Sequence, residues 1–331
     1  MTSEQADYAI RMERYGGPEV LVQASMTSGP PGPRDLCLRT LVSAVNHTDL
    51  RIRAGDWPIR KDRPFPYVPG VETLGVVVAA GDALAADWVG QTVITMMQGL
   101  GGVRAERPGG YATGTKVAAD AVARVPSDVD PFAIAALGLA GVTAFHGLRR
   151  LGDLRGRDIL VTGAAGGVGS AAVSIAHAAG ARVTALVRRP GQAEYVRGLG
   201  AEQVVVAPGN VSHSMPPQSV DGVLDTVGGE GFNASVRALR PGGSLCLVGA
   251  ADDAAVSFEP WGLIRPTTLT GYSTETLTGE DLREAIAVLC EGLASGEIRP
   301  PTWQVLPLSQ AAEAHRRLEA GGVNGRLLLV P

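Results

Sequence analysis

Hydrophobic positions follow two different patterns along the chain. In the first third, short apolar runs at 36–45, 75–80 and 91–96 are separated by segments rich in Gly and Pro. Short runs with dense turn signals are typical of the strands of a β-barrel or a β-sandwich. From about Pro126 onwards, apolar strands alternate with helical stretches. This alternation predicts a parallel sheet that is covered by helices on both faces.

The second pattern also predicts individual elements. Strands are predicted at 158–162, 182–187, 203–206, 222–225 and 244–248, and helices at 168–179, 192–199 and 231–239. A turn is predicted at Pro241–Gly243. The alternation is expected to stop near Glu259, before helices at 279–295 and 309–320 and a last strand at 326–330. The apolar stretch Phe132–Phe145 is too short for a membrane span, so we expect a buried helix there.

Composition narrows the class of protein. The chain has 331 residues, of which 45% are hydrophobic, and this predicts two globular domains with sizeable cores. Its formal net charge is −4 and no block of like charge stands out, so no nucleic-acid or membrane partner is expected. The three cysteines are far apart, and the N-terminal segment lacks the apolar core of a signal peptide. We therefore expect a cytoplasmic protein.

The strongest chemical signal is a glycine-rich loop between a predicted strand and a predicted helix. The loop runs from Gly163 to Gly169, and its small residues let the backbone turn sharply and approach a pyrophosphate. The helix that follows offers free N–H groups and the positive end of its dipole to that anion. We expect cofactor contacts from Gly163, Ala165, Gly166, Gly167 and Val168. The alternative is that these glycines only pack the helix against the strand.

The next predicted strand ends at Val187 and is followed by Arg188 and Arg189. An acidic residue here would bind the ribose 2′-hydroxyl of NAD, whereas Arg accommodates the 2′-phosphate of NADP. The pair therefore favours NADP(H), with two solvated loop arginines as the alternative. Two further loops follow the predicted strands that end at Asp225 and Val248. Since ligands bind at the carboxyl ends of parallel strands, we expect contacts from four loop residues: Thr226, Val227, Val248 and Gly249.

Seven segments in order resemble the medium-chain dehydrogenase/reductase superfamily, and within it the zinc-independent quinone oxidoreductases and enoyl reductases. They lie at 44–57, 66–77, 138–148, 161–169, 224–229, 240–250 and 325–331. The resemblance implies an α/β chain with a GroES-like β-barrel catalytic domain at 1–128. A Rossmann domain with a doubly wound parallel sheet and bound NADP(H) would follow at 129–262, and 263–331 would return to the catalytic domain. It also implies a homodimer and a small-molecule substrate.

The resemblance also bears on zinc. Zinc-dependent relatives place a Cys where this chain has Asn46 and a His where it has Val71. Asn and Val cannot supply thiolate and imidazole ligands, so no metal is expected. His315, in a predicted C-terminal helix, is expected to be a hydrogen-bonded structural residue.

The candidate catalytic residues lie between Asn46 and Arg51. The resemblance places Asn46 beside the nicotinamide, where its amide could donate to a carbonyl or to the cofactor; the alternative is a structural turn residue. Asp49 is expected to orient this loop, and His47 to face pyrophosphate or substrate or to lie on the surface. Arg51 takes the place of a Tyr that several relatives use as a proposed proton donor, which leaves His47, Tyr67 or water as the proton source. The expected cofactor contacts are completed by Thr143, Tyr272 and Asn324.

The resemblance and the missing Lewis acid point to one class of reaction. Hydride addition to a quinone or to a C=C bond conjugated with a carbonyl needs little acid assistance, because the charge spreads over an enolate. We therefore predict an NADPH-dependent reductase of quinones or enones. Two alternatives remain open: a biosynthetic reductase of a dedicated ketone or imine, and a nucleotide-binding protein without turnover.

Overall fold

A computed structural model describes residues 7–27, 29–57, 64–100, 107–208, 215–251 and 254–331. These residues divide into two compact units. The first contains the described residues up to Leu139 together with Thr274–Glu291 and Thr302–Pro331, and the second contains Ala140–Ser273 and Gly292–Pro301. The divisions fall after 139 and 273, whereas the sequence prediction places them after 128 and 262.

The elements follow in chain order. The strands are β1 (Tyr8–Arg11), β2 (Val22–Ser25), β3 (Asp35–Ala44), β4 (Glu72–Ala80), β5 (Thr92–Met96), β6 (Gly114–Ala118), β7 (Ala123–Arg124), β8 (Asp158–Val161), β9 (Arg182–Val187), β10 (Gln203–Val206), β11 (Val220–Asp225), β12 (Leu239–Leu247), β13 (Thr268–Gly271), β14 (Trp303–Pro307) and β15 (Arg326–Val330). The helices are α1 (His47–Ala54), α2 (Pro131–Arg149), α3 (Gly167–Ala178), α4 (Ala193–Gly198), α5 (Phe232–Ala238), α6 (Trp261–Ile264), α7 (Gly279–Ser295) and α8 (Ala311–Ala320).

The first unit is built on a seven-stranded sheet in the order β14-β15-β3-β4-β5-β7, with β6 also paired to β3. Side chains of β3 alternate between buried and more exposed positions, and Leu36 and Leu38 pack with Val77, Val93 and Val117 in one core cluster. The register of this sheet brings three buried polar residues close together: Asn46, Glu72 and Arg326. Leu328 on β15 and Leu74 on β4 pair with the end of β3, opposite Ala44 and Val42. The first residues of β15 and β4 therefore lie beside the residues that connect β3 to α1.

The second unit is built on a parallel six-stranded sheet in the order β10-β9-β8-β11-β12-β13. Its central strands are largely apolar and buried, and Leu160, Val223 and Leu245 pack with Phe232 and Val236 of α5. The strand order reverses between β8 and β11, which is the position where ligands bind in open α/β sheets. The predicted parallel sheet and fold class are confirmed.

Two predictions for the second unit are wrong in detail. The alternation does not stop near Glu259, because β13 adds a sixth parallel strand beside β12. This strand has the sequence TLTG and is half-exposed, so it carries no apolar run. Residues 241–243 do not separate two elements. They lie inside β12, where the pairing moves from Val220–Leu239 to Gly222–Ser244 and the intervening residues bulge out of the ladder.

The apolar helix α2 is longer than predicted. It covers 19 residues, and among the described residues it is long and apolar enough to cross a membrane by length and composition alone. The expectation that this stretch is too short for a span is therefore wrong. The expectation of burial is confirmed, since 83% of its most apolar window is buried inside the chain. Gly138, with a φ of 37°, interrupts its regular geometry.

Candidate functional site

The glycine loop connects β8 to α3 at the reversal of strand order. Gly166 immediately precedes α3, and the N–H groups of the first helical turn have no partner inside the helix. A Cβ at position 169 would come within 2.2 Å of the carbonyl oxygen of Gly163, so only glycine fits there. This close approach of two backbone segments shapes the turn at the start of α3, the kind of turn in which a pyrophosphate binds in dinucleotide-binding folds.

Arg188 and Arg189 follow the last residue of β9 and are both exposed. Their backbone N–H groups donate to Oε1 of Gln192 at 3.2 and 3.1 Å, which orders the turn. Within the described parts of the chain, neither guanidinium has an acidic partner. Two unpaired guanidinium groups at the end of the second strand suit a 2′-phosphate.

Asp225, the last residue of β11, organises the loop after that strand. It is 1% exposed, and its Oδ1 accepts hydrogen bonds from the Thr162 hydroxyl at 2.8 Å and from the N–H groups of Val227 and Gly228 at 2.9 and 3.0 Å. Thr226 donates its N–H to the Thr162 hydroxyl and its own hydroxyl to the Thr162 carbonyl. The loop is therefore fixed to the end of β8.

The loop after β12 lies against the same segment. The N–H of Val248 donates to the carbonyl of Asp225 at 2.8 Å. A Cβ at position 249 would lie 2.5 Å from the carbonyl oxygen of Thr226. The structure thus brings Thr226, Val227, Val248 and Gly249 together at the carboxyl edge of the parallel sheet, next to the glycine loop.

The remaining expected cofactor residues are spread more widely. Thr143 is buried in the second half of α2. Tyr272 follows β13, and its ring stacks on His146 with centroids 5.1 Å apart. Asn324 belongs to the first unit, where its carbonyl accepts from the Thr302 hydroxyl just before β15.

In the first unit, Asn46 lies between β3 and α1 and is 5% exposed. Its Nδ2 donates to the carbonyl of Ala44 at 3.2 Å and to Oε2 of Glu72 at 3.1 Å. Its Oδ1 accepts from Nη2 of Arg326 at 3.0 Å. Both amide hydrogens are therefore used inside the protein. The expected donation from this amide to a carbonyl or to the cofactor would require one of these bonds to break, whereas the alternative of a structural residue fits these contacts.

Asp49 braces the start of α1. It is fully buried, and its two oxygens accept from the backbone N–H groups of Asn46 and Val71, both at 2.9 Å. Burial raises the pKa of this carboxyl to about 7, and the two backbone hydrogen bonds act in the opposite direction. This geometry suits the orienting role expected from the sequence.

Three further polar residues were candidates for proton transfer or substrate binding. His47 is exposed on its outer side. Its pKa is lowered, first because the protein removes part of its water and then because of the positive charge of Arg326. Arg51 is half-buried on α1. Tyr67 is 2% exposed and accepts a hydrogen bond from Gln98, and burial raises its pKa. A buried phenol with a raised pKa is a weak acid, which disfavours Tyr67 as the proton donor.

Sequence reasoning missed Glu72 and Arg326. They form a buried ion pair, with Nη2 of Arg326 3.0 Å from Oε2 of Glu72. Glu72 is 2% exposed and Arg326 is 5% exposed. Burial raises the pKa of Glu72, opposed by the Arg326 charge and by donated hydrogen bonds. The available signal was a single charge at the start of an otherwise apolar strand, which occurs at both positions.

The donor sets can be tested against a metal and a dinucleotide. Within the described ranges, no group of three or more His, Cys, Asp and Glu side chains could hold a metal ion. Val71 is fully buried and apolar, and the Asn46 amide is already occupied. In contrast, the glycine loop and the exposed guanidinium groups of Arg188 and Arg189 fit the pyrophosphate and 2′-phosphate of a dinucleotide. We also expect loops at 56–69 and 96–107 to line a substrate pocket, and their residues 58–63 and 101–106 lie outside the described residues.

Comparisons with known proteins agree with this arrangement. Residues 32–127 match the family described as alcohol dehydrogenase GroES-like domain, and residues 167–290 match the family described as zinc-binding dehydrogenase. The chain is 27% identical to the quinone oxidoreductase of Lama guanicoe, over 99% of each chain. It is similar to a mycobacterial protein solved with NADPH, at a TM-score of 0.84 and 30% identity over 98% of this chain and 100% of that one.

A second solved structure, the quinone oxidoreductase of Escherichia coli complexed with NADPH, has a TM-score of 0.84 and 26% identity, over 98% of this chain and 100% of that chain. These similarities extend over both units. The chain therefore belongs to the medium-chain dehydrogenase/reductase superfamily, among its quinone oxidoreductase-like members.

Proposed function

We propose that this protein is an NADPH-dependent oxidoreductase that reduces a quinone or an α,β-unsaturated carbonyl without zinc. The proposal rests first on the carboxyl edge of the parallel sheet, where a glycine loop opens α3 and β9 is followed by two arginines that have no acidic partner among the described residues. Relatives with the same fold, from mycobacteria and Escherichia coli, were solved with NADPH.

The residues of the second unit would hold the cofactor in parts. The first turn of α3 would bind the pyrophosphate through backbone N–H groups, and Arg188 and Arg189 would bind the 2′-phosphate. The loops fixed by Asp225 would provide the adjoining surface through Thr226, Val227, Val248 and Gly249.

The first unit supports a reaction that needs no Lewis acid. The positions that resemble zinc ligands are an occupied amide, Asn46, and a buried Val71. Alcohol oxidation would need another group to stabilise an alkoxide, whereas an enolate or the monoanion of a hydroquinone, formed by hydride addition, delocalises its negative charge. NADPH, when bound, supplies the hydride, and the product takes its proton from the medium or from a nearby side chain.

The residues at the start of α1 have different roles in this proposal. Asn46 and Asp49 position the segment, because their polar atoms are engaged with the protein. His47 and Arg51 are the candidates to contact a substrate oxygen. The lowered pKa of His47 favours the neutral imidazole, which still donates one N–H. The homodimer and the cytoplasmic location stay predictions.

The test is NADPH oxidation with a panel of quinones, enones and alkenals, combined with metal analysis of the purified protein. We expect turnover with at least one acceptor class and no stoichiometric zinc. The variant Arg188→Ala should raise KM for NADPH by about tenfold or more and leave KM for NADH nearly unchanged. Arg182→Ala is the matched control, since Arg182 lies at the opposite end of β9. Equal effects on the two cofactors, or one zinc per chain, would refute the proposal.

A further inference from the structure

The Glu72 carboxylate joins three parts of the first unit. Its Oε2 accepts from Nδ2 of Asn46 at 3.1 Å and from Nη2 of Arg326 at 3.0 Å. Its Oε1 accepts from the backbone N–H of Leu139 at 2.9 Å. All three partners are donors, so both oxygens act as acceptors and the carboxyl group is held as a carboxylate.

The kink in α2 makes room for this carboxylate. A Cβ at position 138 would lie 1.5 Å from Oε1 of Glu72, and Gly138 has a φ of 37°, which favours glycine. The N–H of the next residue, Leu139, donates to Oε1 of Glu72 directly after this interruption of the helix. The Glu72 side chain therefore contacts both the kink of α2 and its ion-pair partner Arg326.

The carboxylate also sets the orientation of Asn46. In the observed orientation, the NH₂ group of Asn46 faces two acceptors and its oxygen faces the Arg326 guanidinium. A half-turn of the amide would place the NH₂ group against Arg326 and the oxygen against the Glu72 carboxylate. Both contacts would be repulsive, so Glu72 and Arg326 together permit a single orientation.

We infer that Glu72 is a positioning residue of the reductase site, whose carboxylate fixes the Asn46 amide and the first residue of α2 after its kink. This inference rests on the proposed function and adds to it a residue that acts through Asn46. The positive partner, Arg326, stabilises the carboxylate in the interior, where an unpaired charge would not be retained.

The test is the variant Glu72→Gln in the full-length protein. Glutamine has nearly the same shape, but one of its two ends is a donor. Whichever way this amide turns, its NH₂ group meets either Leu139 N–H or the pair formed by Asn46 and Arg326. We expect faster hydrogen–deuterium exchange in the peptide containing Leu139 and shifted NMR signals for the Asn46 side-chain amide. Turnover of the best acceptor should fall about tenfold with KM for NADPH within about twofold.

Arg53→Met is the matched control. Arg53 is also buried in the first unit and pairs with Glu319, but it does not contact Asn46 or Glu72. It should lower thermal stability without changing either structural signal. Arg326→Lys keeps the positive charge and loses the planar guanidinium. It should change the exchange at Leu139 and the Asn46 amide signals less than Glu72→Gln does. If Glu72→Gln does not fold, Arg326→Lys is the variant to be measured in its place.

Unchanged exchange at Leu139 and unchanged Asn46 signals in Glu72→Gln would overturn the inference. Altered signals with wild-type turnover would also overturn it, because Glu72 would then be only structural. If the wild-type protein reduces no quinone, enone or alkenal, the proposed function fails on its own. The exchange and NMR results would still show whether Glu72 holds Asn46.

Discussion

Each unit contains a buried carboxylate that organises a polar site, but the partners of the two carboxylates differ in kind. In the second unit, Asp225 accepts from one hydroxyl and two backbone N–H groups, all neutral. In the first unit, Glu72 accepts from a guanidinium, a side-chain amide and one backbone N–H. One site is held mainly by backbone geometry, and the other mainly by charge.

This difference has energetic consequences. A carboxylate paired with neutral donors can be replaced by another acceptor of the same shape at modest cost. A buried ion pair behaves otherwise, because removal of one partner leaves the other charge unpaired in the interior. We therefore expect the first unit to be more sensitive than the second to substitutions that change charge and keep shape.

The largest effect is expected for the Glu72–Arg326 pair. Arg326→Met should lower the free energy of unfolding by about 3–5 kcal/mol, since it leaves a buried, unpaired carboxylate. The double variant Glu72→Gln, Arg326→Met should be more stable than Arg326→Met alone, because no net charge then remains in the interior. Urea unfolding of the wild type, both single variants and the double variant measures this coupling. Additive losses would show that the two charges do not stabilise each other.

A second effect concerns His315, in another buried polar cluster of the first unit. Its Nδ1 lies 3.3 Å from Nη1 of Arg53 and its Nε2 lies 3.0 Å from the Tyr111 hydroxyl. Because Arg only donates, Nδ1 must accept, and the imidazole is neutral with its hydrogen on Nε2. Burial, and then the Arg53 charge, lower the pKa of His315 to about 3.

This lowered pKa predicts acid sensitivity. In the unfolded chain His315 takes up a proton near pH 6.5, whereas in the folded protein it stays neutral down to a much lower pH. The stability contributed by the neutral form is therefore fully present above pH 6.5 and is lost as the pH falls. Between pH 7 and pH 5 this amounts to about 2 kcal/mol. The variant His315→Gln cannot titrate, so its stability should fall less over the same range. Parallel stability curves for the two proteins would mean that His315 is already protonated in the fold.

The site around Asp225 in the second unit, which is held mainly by backbone geometry, could be predicted from the sequence to a large extent. The glycine loop, the arginines after β9 and the loops after β11 and β12 were predicted from local patterns, because the residues that shape each loop are neighbours in the chain. Gly169 and Gly249 are required by close approaches of backbone to backbone. The predicted strands at 182–187 and 203–206 match β9 and β10.

The site around Glu72 in the first unit, which is held mainly by charge, could not be predicted in the same way. Its members lie at positions 46, 72, 139 and 326, and only the pairing of β15 and β4 with β3 brings them together. Asn46 could be selected from the resemblance, but its hydrogen bonds depend on partners up to 280 positions away. Strand β13 was missed for a different reason: it is short, half-exposed and poor in apolar residues, and it is specified by its place beside β12.

The smallest effect is expected for Asp225→Asn, which tests the other half of the comparison. All three donors meet the same oxygen, Oδ1, and an asparagine oxygen can accept the same three bonds. We expect a loss of only about 1 kcal/mol in the free energy of unfolding, the difference between charged and neutral hydrogen bonds. NADPH affinity should stay close to that of the wild type, because the loop keeps its shape.

Asp225→Ala removes the acceptor altogether and should cost more, about 2–3 kcal/mol, since the Thr162 hydroxyl and two backbone N–H groups would lose their partner. Equilibrium unfolding and NADPH titration of the two variants separate the role of the oxygen from that of the charge. If Asp225→Asn were as damaging as Asp225→Ala, the charge itself would hold the loops, and the two carboxylates would not differ in the way their partners indicate.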